Sequence, residues 1–458
     1  MLDWLNGFEQ RLQQEPLIYK ALYQHLENAI RQGALRAGDR LPPQRMLAEH
    51  IGVAVATVTR VYRQAEQQGL IYAKVGKGSF VSASPLLPQA IRAQDYQCIN
   101  LSIIKPQVSV AESQLEDQFK HLCEHSRLSD FMDYNPDGGS LTDQQTAREW
   151  LSQHGVDTSD RAISICSGAQ HGLMLLMSCV TQHADCIAVE AFCYPGIISL
   201  ANQLGRTLIG INMDRQGIIP ESLERACQEH DIKMLIVVAS HQNPTGAVMS
   251  KARRRAIAKI VKQYSIWLVD DDVYGFLSPE LPPISNFAPE HSFYLTSLSK
   301  SMLPGLRVGY LVSPSSFRQR IDAEIRNSIW MPVPLTLALA SRLIYSGQAL
   351  DIQQQQSQMA TARQRLAKRL LAGCEYQAQS NSYHLWLTLP APWSSDTFST
   401  KLEQQGVLVS SADYFCAEHQ AKTAAVRISL MATKTEEELG FALKRVRQLL
   451  LQAPESDR

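Results

Sequence analysis

The sequence predicts an α/β protein that carries a separate helical module at its N-terminus. Three observations support this fold class: apolar β-rich runs alternate with helical patterns over about residues 100–320, a three-helix pattern precedes them, and mixed helices and strands follow. Near-continuous apolar strands between helices indicate a mostly parallel sheet with helices on both faces. We expect an N-terminal domain over residues 1–82, a linker over 83–99, a large domain over 100–320 and a small α+β subdomain over 321–458.

Length and composition exclude several classes of protein. The chain has 458 residues, of which 45 % are apolar and 19 % charged, as is ordinary for globular domains. Lys+Arg and Asp+Glu number 44 each, so any contact with nucleic acid must come from a local basic patch. The nine cysteines include no CxxC pair, which argues against a disulfide framework or a zinc site. No run of 18 apolar residues and no signal peptide is found, so we expect a cytoplasmic protein without a membrane segment.

The N-terminal module is predicted to form three helices and a hairpin. A first helix is indicated by apolar residues that recur every four positions, namely Ile18, Leu22, Leu26 and Ile30. Pro43 suits the first turn of a second helix through Ala48, and Gly52 makes the next turn. The third helix would bury Val58, Val61, Tyr62 and Ala65. Two short apolar strands around Gly76 and Gly78 predict a hairpin with a basic tip.

This arrangement resembles a winged helix-turn-helix, and residues 15–82 are similar to the GntR family of bacterial regulators. The similarity rests on Leu41-Pro-Pro-Gln-Arg45-Met-Leu-Ala48, Gly52-Val53, Thr57-Val58, Tyr62, Gly69 and Gly76-x-Gly78-x-Phe80-Val81. The resemblance implies that the third helix enters the major groove of DNA and that the wing reaches the minor groove or the backbone.

The recognition helix departs from the family at one place. The usual Ser-Arg pair before the threonine is replaced by Ala54-Val55-Ala56. That pair would have supplied a base or phosphate contact. Contacts with DNA are therefore expected from Arg45, Thr57, Thr59, Arg60 and the wing lysines Lys74 and Lys77. The alternative is that these cations only form a solvated surface.

Two motifs in the large domain carry charged groups. Lys300 lies among the hydroxyl residues of Ser297-Leu-Ser-Lys-Ser, with Arg307 seven residues on, which suits a Schiff-base lysine beside a phosphate clamp. Asp271 belongs to a run of three acids after the strand 267–269, where α/β folds bind ligands, and it could pair with a pyridine nitrogen. A metal is the less favoured alternative for the run, because successive strand residues point to opposite faces.

Two further motifs are turns that follow strands. The Asn243 amide, in Asn-Pro-Thr-Gly246, could hydrogen-bond a phenolic oxygen, although the motif could be a turn alone. The turn Ser167-Gly-Ala-Gln170 precedes an apolar helix, whose N-terminal N–H groups would hold a phosphate. A small-residue turn without a ligand is the alternative here.

Together the four motifs resemble the fold-type I aminotransferases that use pyridoxal 5′-phosphate (PLP), over about residues 100–450. The resemblance implies that Lys300 binds PLP as a Schiff base and that Asp271 pairs with the pyridine nitrogen. Asn243 and Tyr274 would hydrogen-bond the 3′ oxygen, and Tyr194 would stack on the ring unless it is a core aromatic. The phosphate would be held by Ser167, Gly168, Ala169, Ser297 and Arg307, with Gln170 as a weaker candidate.

Two more residues take roles from the same resemblance. Tyr134, in Tyr-Asn-Pro-Asp-Gly138, resembles the tyrosine that reaches the phosphate of the partner subunit in a dimer. Arg427, in Ala425-Val-Arg-Ile428, matches the arginine that binds a substrate α-carboxylate as a bidentate pair. An ordinary ion pair on a strand is the alternative for Arg427.

The two modules together resemble the MocR group of regulators. The resemblance implies a cytoplasmic homodimer that binds double-stranded operator DNA, with an affinity modulated by PLP or by its adduct with an amino acid or amine. Two alternatives stay open. The chain could be an active aminotransferase with a residual DNA-binding domain, or a sensor of PLP alone, against which Arg427 argues.

Overall fold

The computed structural model describes residues 3–5, 8, 17–31, 34–35, 39–67, 70–74, 78–81, 98–417 and 423–452. These residues form two compact units, one built on the N-terminal helices and hairpin and one on nearly all of the chain after residue 97. The predicted linker, apart from its last two residues, and Gly33, Gly69, Gly76 and Lys77 lie outside the described residues. Among the helices that are described, none is long and apolar enough to cross a bilayer.

The N-terminal unit has the predicted winged helix-turn-helix arrangement. Its elements are α1 (Ile18–Arg31), α2 (Gln44–Ile51), α3 (Val55–Gln67) and an antiparallel hairpin of β1 (Ile71–Lys74) and β2 (Gly78–Val81). The predicted apolar faces of α1 and α3 form its core, except that Ile18 is 43 % exposed because it lies at the first residue of α1. The Tyr62 hydroxyl donates to the carbonyl of Pro42 at 2.8 Å and ties α3 to the start of α2.

Helix α2 begins one residue later and ends three residues later than the sequence predicts. Pro43 has ψ 138°, which is extended, so it is the N-cap of α2 and not part of its first turn. At the other end Gly52 adopts φ 68°, and its N–H donates to the helix carbonyls, which closes α2 with a left-handed residue.

The large domain contains the predicted, mostly parallel sheet. Its seven strands are β4 (Arg161–Cys166), β5 (Cys186–Glu190), β6 (Thr207–Ile211), β9 (Ile232–Val237), β10 (Trp267–Asp271), β11 (Ser292–Ser297) and β12 (Gly309–Pro314). In the numbering used here β3 (Ile99–Asn100), β7 (Met213–Asp214) and β8 (Gly217–Ile218) lie outside this sheet. The strand order is β4-β12-β11-β10-β9-β5-β6, and only β12 runs antiparallel to its neighbours.

Helices connect these strands and precede them. They are α4 (Glu112–His125), α5 (Leu141–Gln153), α6 (Ala169–Val180), α7 (Pro195–Leu204), α8 (Pro220–Glu229), α9 (Lys251–Gln263), α10 (Leu298–Ser301), α11 (Arg318–Ile329) and α12 (Pro334–Tyr345). Strands β9 and β10 are buried along almost their whole length, because apolar cores lie on both faces of the sheet.

The C-terminal part is a smaller α+β unit. Its elements are α13 (Gln348–Leu370), β13 (Tyr376–Gln377), β14 (His384–Thr388), α14 (Ser395–Gln404), β15 (Val407–Leu408), β16 (Ser410–Ser411), β17 (Ala425–Ser429) and α15 (Glu436–Leu451). Four strands form an antiparallel sheet in the order β13-β14-β17-β16, while β15 pairs in parallel with β3. In chain order, the last residue of the apolar core of the large domain is Ile352. The apolar core of the smaller unit contains Leu101 and otherwise only residues from Leu366 onward. Both cores belong to one compact unit, and the boundary expected at residue 320 stays a prediction.

Candidate functional site

The candidate site is a cavity of about 380 Å³ at the carboxyl ends of the central strands. Parallel strands leave their carboxyl ends and the following turns at one edge of a sheet, where α/β folds bind ligands. The lining residues come from both the large and the small subdomain: Ile103, Ile104, Lys105, Ala169, Gln170, Leu173, Tyr194, Val238, Asn243, Asp271, Val273, Tyr274, Ser297, Ser299, Lys300, Pro304, Arg307 and Arg427.

Lys300 lies on the short helix α10, directly after β11. Its ammonium group donates to the carbonyl of Ile104, and the Tyr383 hydroxyl donates to the Lys300 carbonyl at 3.0 Å. Burial, together with the positive charges of Arg427 and Arg307, lowers the pKa of Lys300 to about 8. A substantial fraction of the amine is therefore neutral near physiological pH, which is the form that attacks a carbonyl carbon.

Asp271 is the one carboxylate of its run that lines the cavity. Its neighbours bond elsewhere, because Asp270 accepts from the Ser285 N–H at 2.9 Å and Asp272 accepts from the Tyr294 hydroxyl at 3.3 Å. Burial and the two neighbouring acids raise the pKa of Asp271 to about 7. Its Oδ1 is buried and has no hydrogen-bond partner among the described residues. A protonated ring nitrogen is the kind of group that would satisfy this oxygen.

The predicted phosphate-binding residues lie at the turn between β4 and α6. Gly168 has φ 81°, and a Cβ at this position would lie 2.8 Å from Nη2 of Arg307. Arg307 itself is in the left-handed region, at φ 51°, and donates to the Ser167 carbonyl at 2.9 Å. The backbone at Gly168 therefore lies so close to the Arg307 guanidinium that there is no room for a Cβ at this position.

Two residues of the cavity lining have a buried polar atom without a partner among the described residues. The Ser299 hydroxyl and Oε1 of Gln170 have no partner among the described residues, while Nε2 of Gln170 donates to the Gly196 carbonyl at 3.3 Å. Hydroxyl, guanidinium and helix N–H groups together form a donor set that suits a phosphate.

Ser167 contributes less to this donor set than the sequence suggests. Its N–H donates to Nδ1 of His171 at 3.0 Å, and its carbonyl is taken by Arg307. Burial and the nearby Arg307 lower the pKa of His171 to about 4, so the ring is neutral and able to accept. Neither Ser167 nor Gly168 lines the cavity, whereas Ala169 does.

The lining also contains Tyr194, Asn243 and Tyr274, the residues to which the resemblance assigns ring contacts. Burial raises the pKa of Tyr194 to about 12 and that of Tyr274 further, so both phenols stay protonated. Asn243 follows β9 and precedes a cis peptide bond to Pro244. The three residues thus offer two phenol groups and one amide to a flat ligand.

Arg427 lies on β17 and is buried, at 2 % exposure. Its Nη1 donates to Oδ1 of Asn243 at 2.8 Å, and its Nη2 donates to the Ser102 carbonyl and to the Ser410 hydroxyl. Burial lowers the pKa of Arg427 to about 10, and its Nε is buried without a partner among the described residues. The ordinary ion pair considered as an alternative is not found in the described part of the chain, where these partners are uncharged.

Tyr134 does not reach the cavity of its own chain. Its side chain is 76 % exposed and packs on Trp330, with ring centroids 5.6 Å apart. The helix that follows, α5, is capped by Ser140 and Asp143, which exchange hydrogen bonds between side chain and backbone.

Several site residues were not predicted. Ser299 stands within the quoted lysine motif, so its hydroxyl gave a signal that could have been used. The segment that contains Ile103, Ile104 and Lys105 carries no motif. It lines the cavity and follows β3, which pairs with β15.

The predicted DNA-contacting residues are distributed over α2, α3 and the hairpin. Arg45 and Arg60 are exposed, and the Arg60 guanidinium lies over the Tyr19 ring at 3.7 Å. The Thr59 hydroxyl bonds within the module, to Oε1 of Gln44 at 2.7 Å or to the Val55 carbonyl at 3.0 Å. Thr57 is half-buried, and Lys74 lies at the end of β1. The sequence analysis missed Arg40, whose guanidinium lies beside Gly78 of the wing.

The stretch that replaces the usual Ser-Arg pair is apolar and exposed. Ala54 and Ala56 are exposed, and Val55 is 42 % exposed at the first position of α3. The start of the recognition helix therefore presents methyl groups where the family has polar ones.

The class of the chain follows from comparison with sequence families. The family "Aminotransferase class I and II" matches residues 96–446, and "Bacterial regulatory proteins, gntR family" matches residues 18–81. The chain belongs to the aminotransferase class I and II family and carries a gntR-family domain at its N-terminus. The MocR-type architecture expected from the sequence is thereby confirmed.

Individual relatives share this architecture. The chain is 32 % identical over 440 residues to the uncharacterized HTH-type transcriptional regulator YdeF of Bacillus subtilis, covering 95 % of each protein. It is 26 % identical to the HTH-type transcriptional regulator TauR of Rhodobacter capsulatus, over 86 % of this chain and 88 % of that one. The HTH-type pyridoxine biosynthesis transcriptional regulator PdxR of Corynebacterium glutamicum is also 26 % identical, over 68 % and 69 %.

Solved structures resemble the large unit. Kynurenine aminotransferase of Pyrococcus horikoshii, crystallised with PMP, superposes with a TM-score of 0.75 at 21 % identity, over 83 % of this chain and 98 % of that one. The α-aminoadipate aminotransferase LysN of Thermus thermophilus gives 0.71 at 18 % identity, over 85 % and 98 %. At these identities the likeness establishes the fold alone.

Proposed function

We propose that this protein is a transcriptional regulator that binds operator DNA through its N-terminal unit and PLP through its large unit. The observation that carries the PLP assignment is the pair formed by Lys300 and Asp271 in one cavity. An amine with a pKa of about 8 lines the same cavity as a buried carboxylate oxygen without a partner. A cofactor with an aldehyde and a basic ring nitrogen meets both requirements.

Each of the chain's own residues has a defined task in this proposal. Lys300 would hold the aldehyde carbon covalently, and Asp271 would keep the ring nitrogen protonated. Arg307, Ser297, Ser299 and the N–H groups at the start of α6 would hold the phosphate. When bound, PLP supplies an electron-withdrawing ring and an aldehyde that reacts with amines. Arg427 would then orient the carboxylate of an amino compound.

The regulator is favoured over an enzyme because the gntR family matches residues 18–81 and the relatives that cover most of this chain are named HTH-type regulators. One observation favours the second candidate, an active aminotransferase. Lys300, Asp271 and Arg427 would suffice for transamination, and the recognition helix lacks the usual Ser-Arg pair. The resemblance to fold-type I aminotransferases implies a site shared within a dimer, so a homodimer that presents two DNA-binding units to paired half-sites belongs to the proposal.

The experiment is a fluorescence-anisotropy titration with DNA from upstream of the protein's own gene, at fixed salt, with and without PLP. We expect tight binding that prefers this DNA over a scrambled control and that changes with PLP. Weak binding that ignores both sequence and PLP would contradict control of its own promoter. Amino acids would then be screened for turnover and other promoters for binding.

A further inference from the structure

Lys105 is a cation of the cavity that the proposed function leaves without a partner. It lines the cavity and is half-buried. No hydrogen bond or ion pair joins its ammonium group to any of the residues that the structure describes. The three other cations have tasks: Lys300 for the aldehyde, Arg307 for the phosphate and Arg427 for the α-carboxylate.

The backbone on both sides of Lys105 is held in place. Upstream, the Leu101 N–H donates to the Leu408 carbonyl at 2.8 Å. Downstream, the Gln107 N–H donates to Oε1 of Gln356 at 2.9 Å, and its Nε2 donates to the Thr433 carbonyl at 2.8 Å. The path of the segment across the cavity is therefore fixed on either side of Lys105, and its charge is presented from a defined backbone position.

The lining to which Lys105 belongs also contains apolar side chains, among them Ile103, Ile104, Leu173 and Val238. Asp271 is the only acid in the lining, and its oxygen is assigned to the ring nitrogen. A ligand whose α-carboxylate is bound by Arg427 would therefore find apolar side chains and one further cation, Lys105, in the same cavity.

We propose that the amino compound recognised by this site carries a second acidic group, on a short aliphatic side chain, and that Lys105 binds that group. The proposal rests on the proposed function, because it assumes that PLP and the α-amino acid are bound as described above. It adds the chemical class of the effector, an acidic amino acid, and the residue that selects it.

The test compares amino acids of equal shape and different charge on the full-length, PLP-loaded protein. L-glutamate is titrated against L-glutamine, and L-aspartate against L-asparagine, and the change in visible absorption reports binding. We expect the better of the two acids to bind about 10- to 100-fold more tightly than its amide, the effect of one hydrogen bond between charged groups. Lys105→Met should reduce this ratio to about one, whereas Lys105→Arg should preserve most of it.

The acid-to-amide ratio is compared within each variant, so a general loss of stability does not imitate the effect. Equal binding of acid and amide by the natural protein would overturn the proposal, and so would failure to bind either pair. A ratio that survives in Lys105→Met would assign the selection to another residue and equally overturn it. If the natural protein shows no visible absorption band with PLP at all, the proposed function fails and not the role of Lys105 alone.

Discussion

Lys300 is the residue on which the cofactor assignment depends most directly. Replacement by alanine removes the only amine in the cavity lining besides Lys105, so we expect loss of the visible band that PLP acquires on covalent attachment. The measurement is an absorption spectrum after PLP addition, followed by borohydride reduction and peptide mapping. The matched control is Lys233→Ala, because Lys233 is exposed and paired with Asp231 at 2.7 Å. A labelled peptide from the Lys300→Ala variant would identify a different lysine.

The raised pKa of Asp271 predicts how the free energy of unfolding depends on pH in the absence of PLP. Its pKa is about 7 in the folded protein against a usual value of 3.8, so between these pH values the folded state binds more protons than the unfolded state. The free energy of unfolding therefore falls as pH rises through this range, by up to about 1.4 kcal/mol per pH unit, and levels off above pH 7.

Asp271→Asn should reduce this fall, although Asp270, with a pKa also raised to about 7, will keep part of it. Urea unfolding of both proteins at about pH 5 and about pH 8 measures the difference. Equal pH dependence in the two proteins would mean that Asp271 is already ionised in the folded state at the lower pH.

At the scale of elements, the turn between β4 and α6 is the feature most sensitive to a small change. Gly168→Ala places a methyl group 2.8 Å from Nη2 of Arg307 and asks an L-residue to adopt φ 81°. We expect the affinity for PLP to fall at least about tenfold, since the guanidinium must move.

The control for this change is Gly155→Ala, where φ is 69° and a Cβ would meet nothing within 4 Å. It shares the positive φ and lacks the crowding, whereas Gly168, at ψ 171°, lies in a backbone region that essentially only glycine adopts and is strained more by the substitution. PLP titration should therefore separate the two variants even if their melting temperatures fall equally. Equal PLP affinity in both would show that the Arg307 position is not needed for phosphate binding.

Helices α2 and α3 each present an exposed arginine that we expect to contact DNA phosphates. Arg45→Ala combined with Arg60→Ala should weaken DNA binding and lower the slope of log affinity against log salt by about 2, one for each lost phosphate contact. The control pair is Arg225→Ala with Arg447→Ala, two exposed arginines of the large unit. An unchanged slope in the first pair would assign the phosphate contacts to other residues, such as the wing.

Elements and site residues differed in how far the sequence could predict them. Lys300, Asp271 and Asn243 each stand in a contiguous motif after a strand, so local sequence was sufficient to place them at one edge of the sheet. Ile104 and Lys105 of the lining follow β3, which pairs with β15 about 300 residues further along the chain. No local pattern specifies such a contact. Ile18 shows a different kind of error. It fits the apolar periodicity of α1, yet it is 43 % exposed because no other described part of the unit packs over the first residue of the helix.

The prediction for the whole molecule concerns the dimer. Tyr134 is exposed on its own chain, and in the proposed dimer it binds the phosphate in the partner subunit. Tyr134→Ala should therefore weaken PLP binding, and Lys300→Ala should abolish its covalent attachment. Mixed dimers of the two variants contain one site with neither defect, so refolding them together should restore tight PLP binding in part. If Tyr134 serves its own subunit, every site in the mixture has a defect and no tight binding returns.

The segment from Ile99 to Gln107 connects the predicted linker with the cavity. It begins at the last residue of the predicted linker, and its carbonyls at Ser102 and Ile104 accept hydrogen bonds from Arg427 and Lys300. An effector that needs both cations competes with the protein's own backbone for them. Effector affinity and the conformation of this segment are then thermodynamically linked, and the link is reciprocal. In the proposed function, an effector that changes the conformation of this segment would change DNA binding, and DNA binding would change effector affinity by the same free energy.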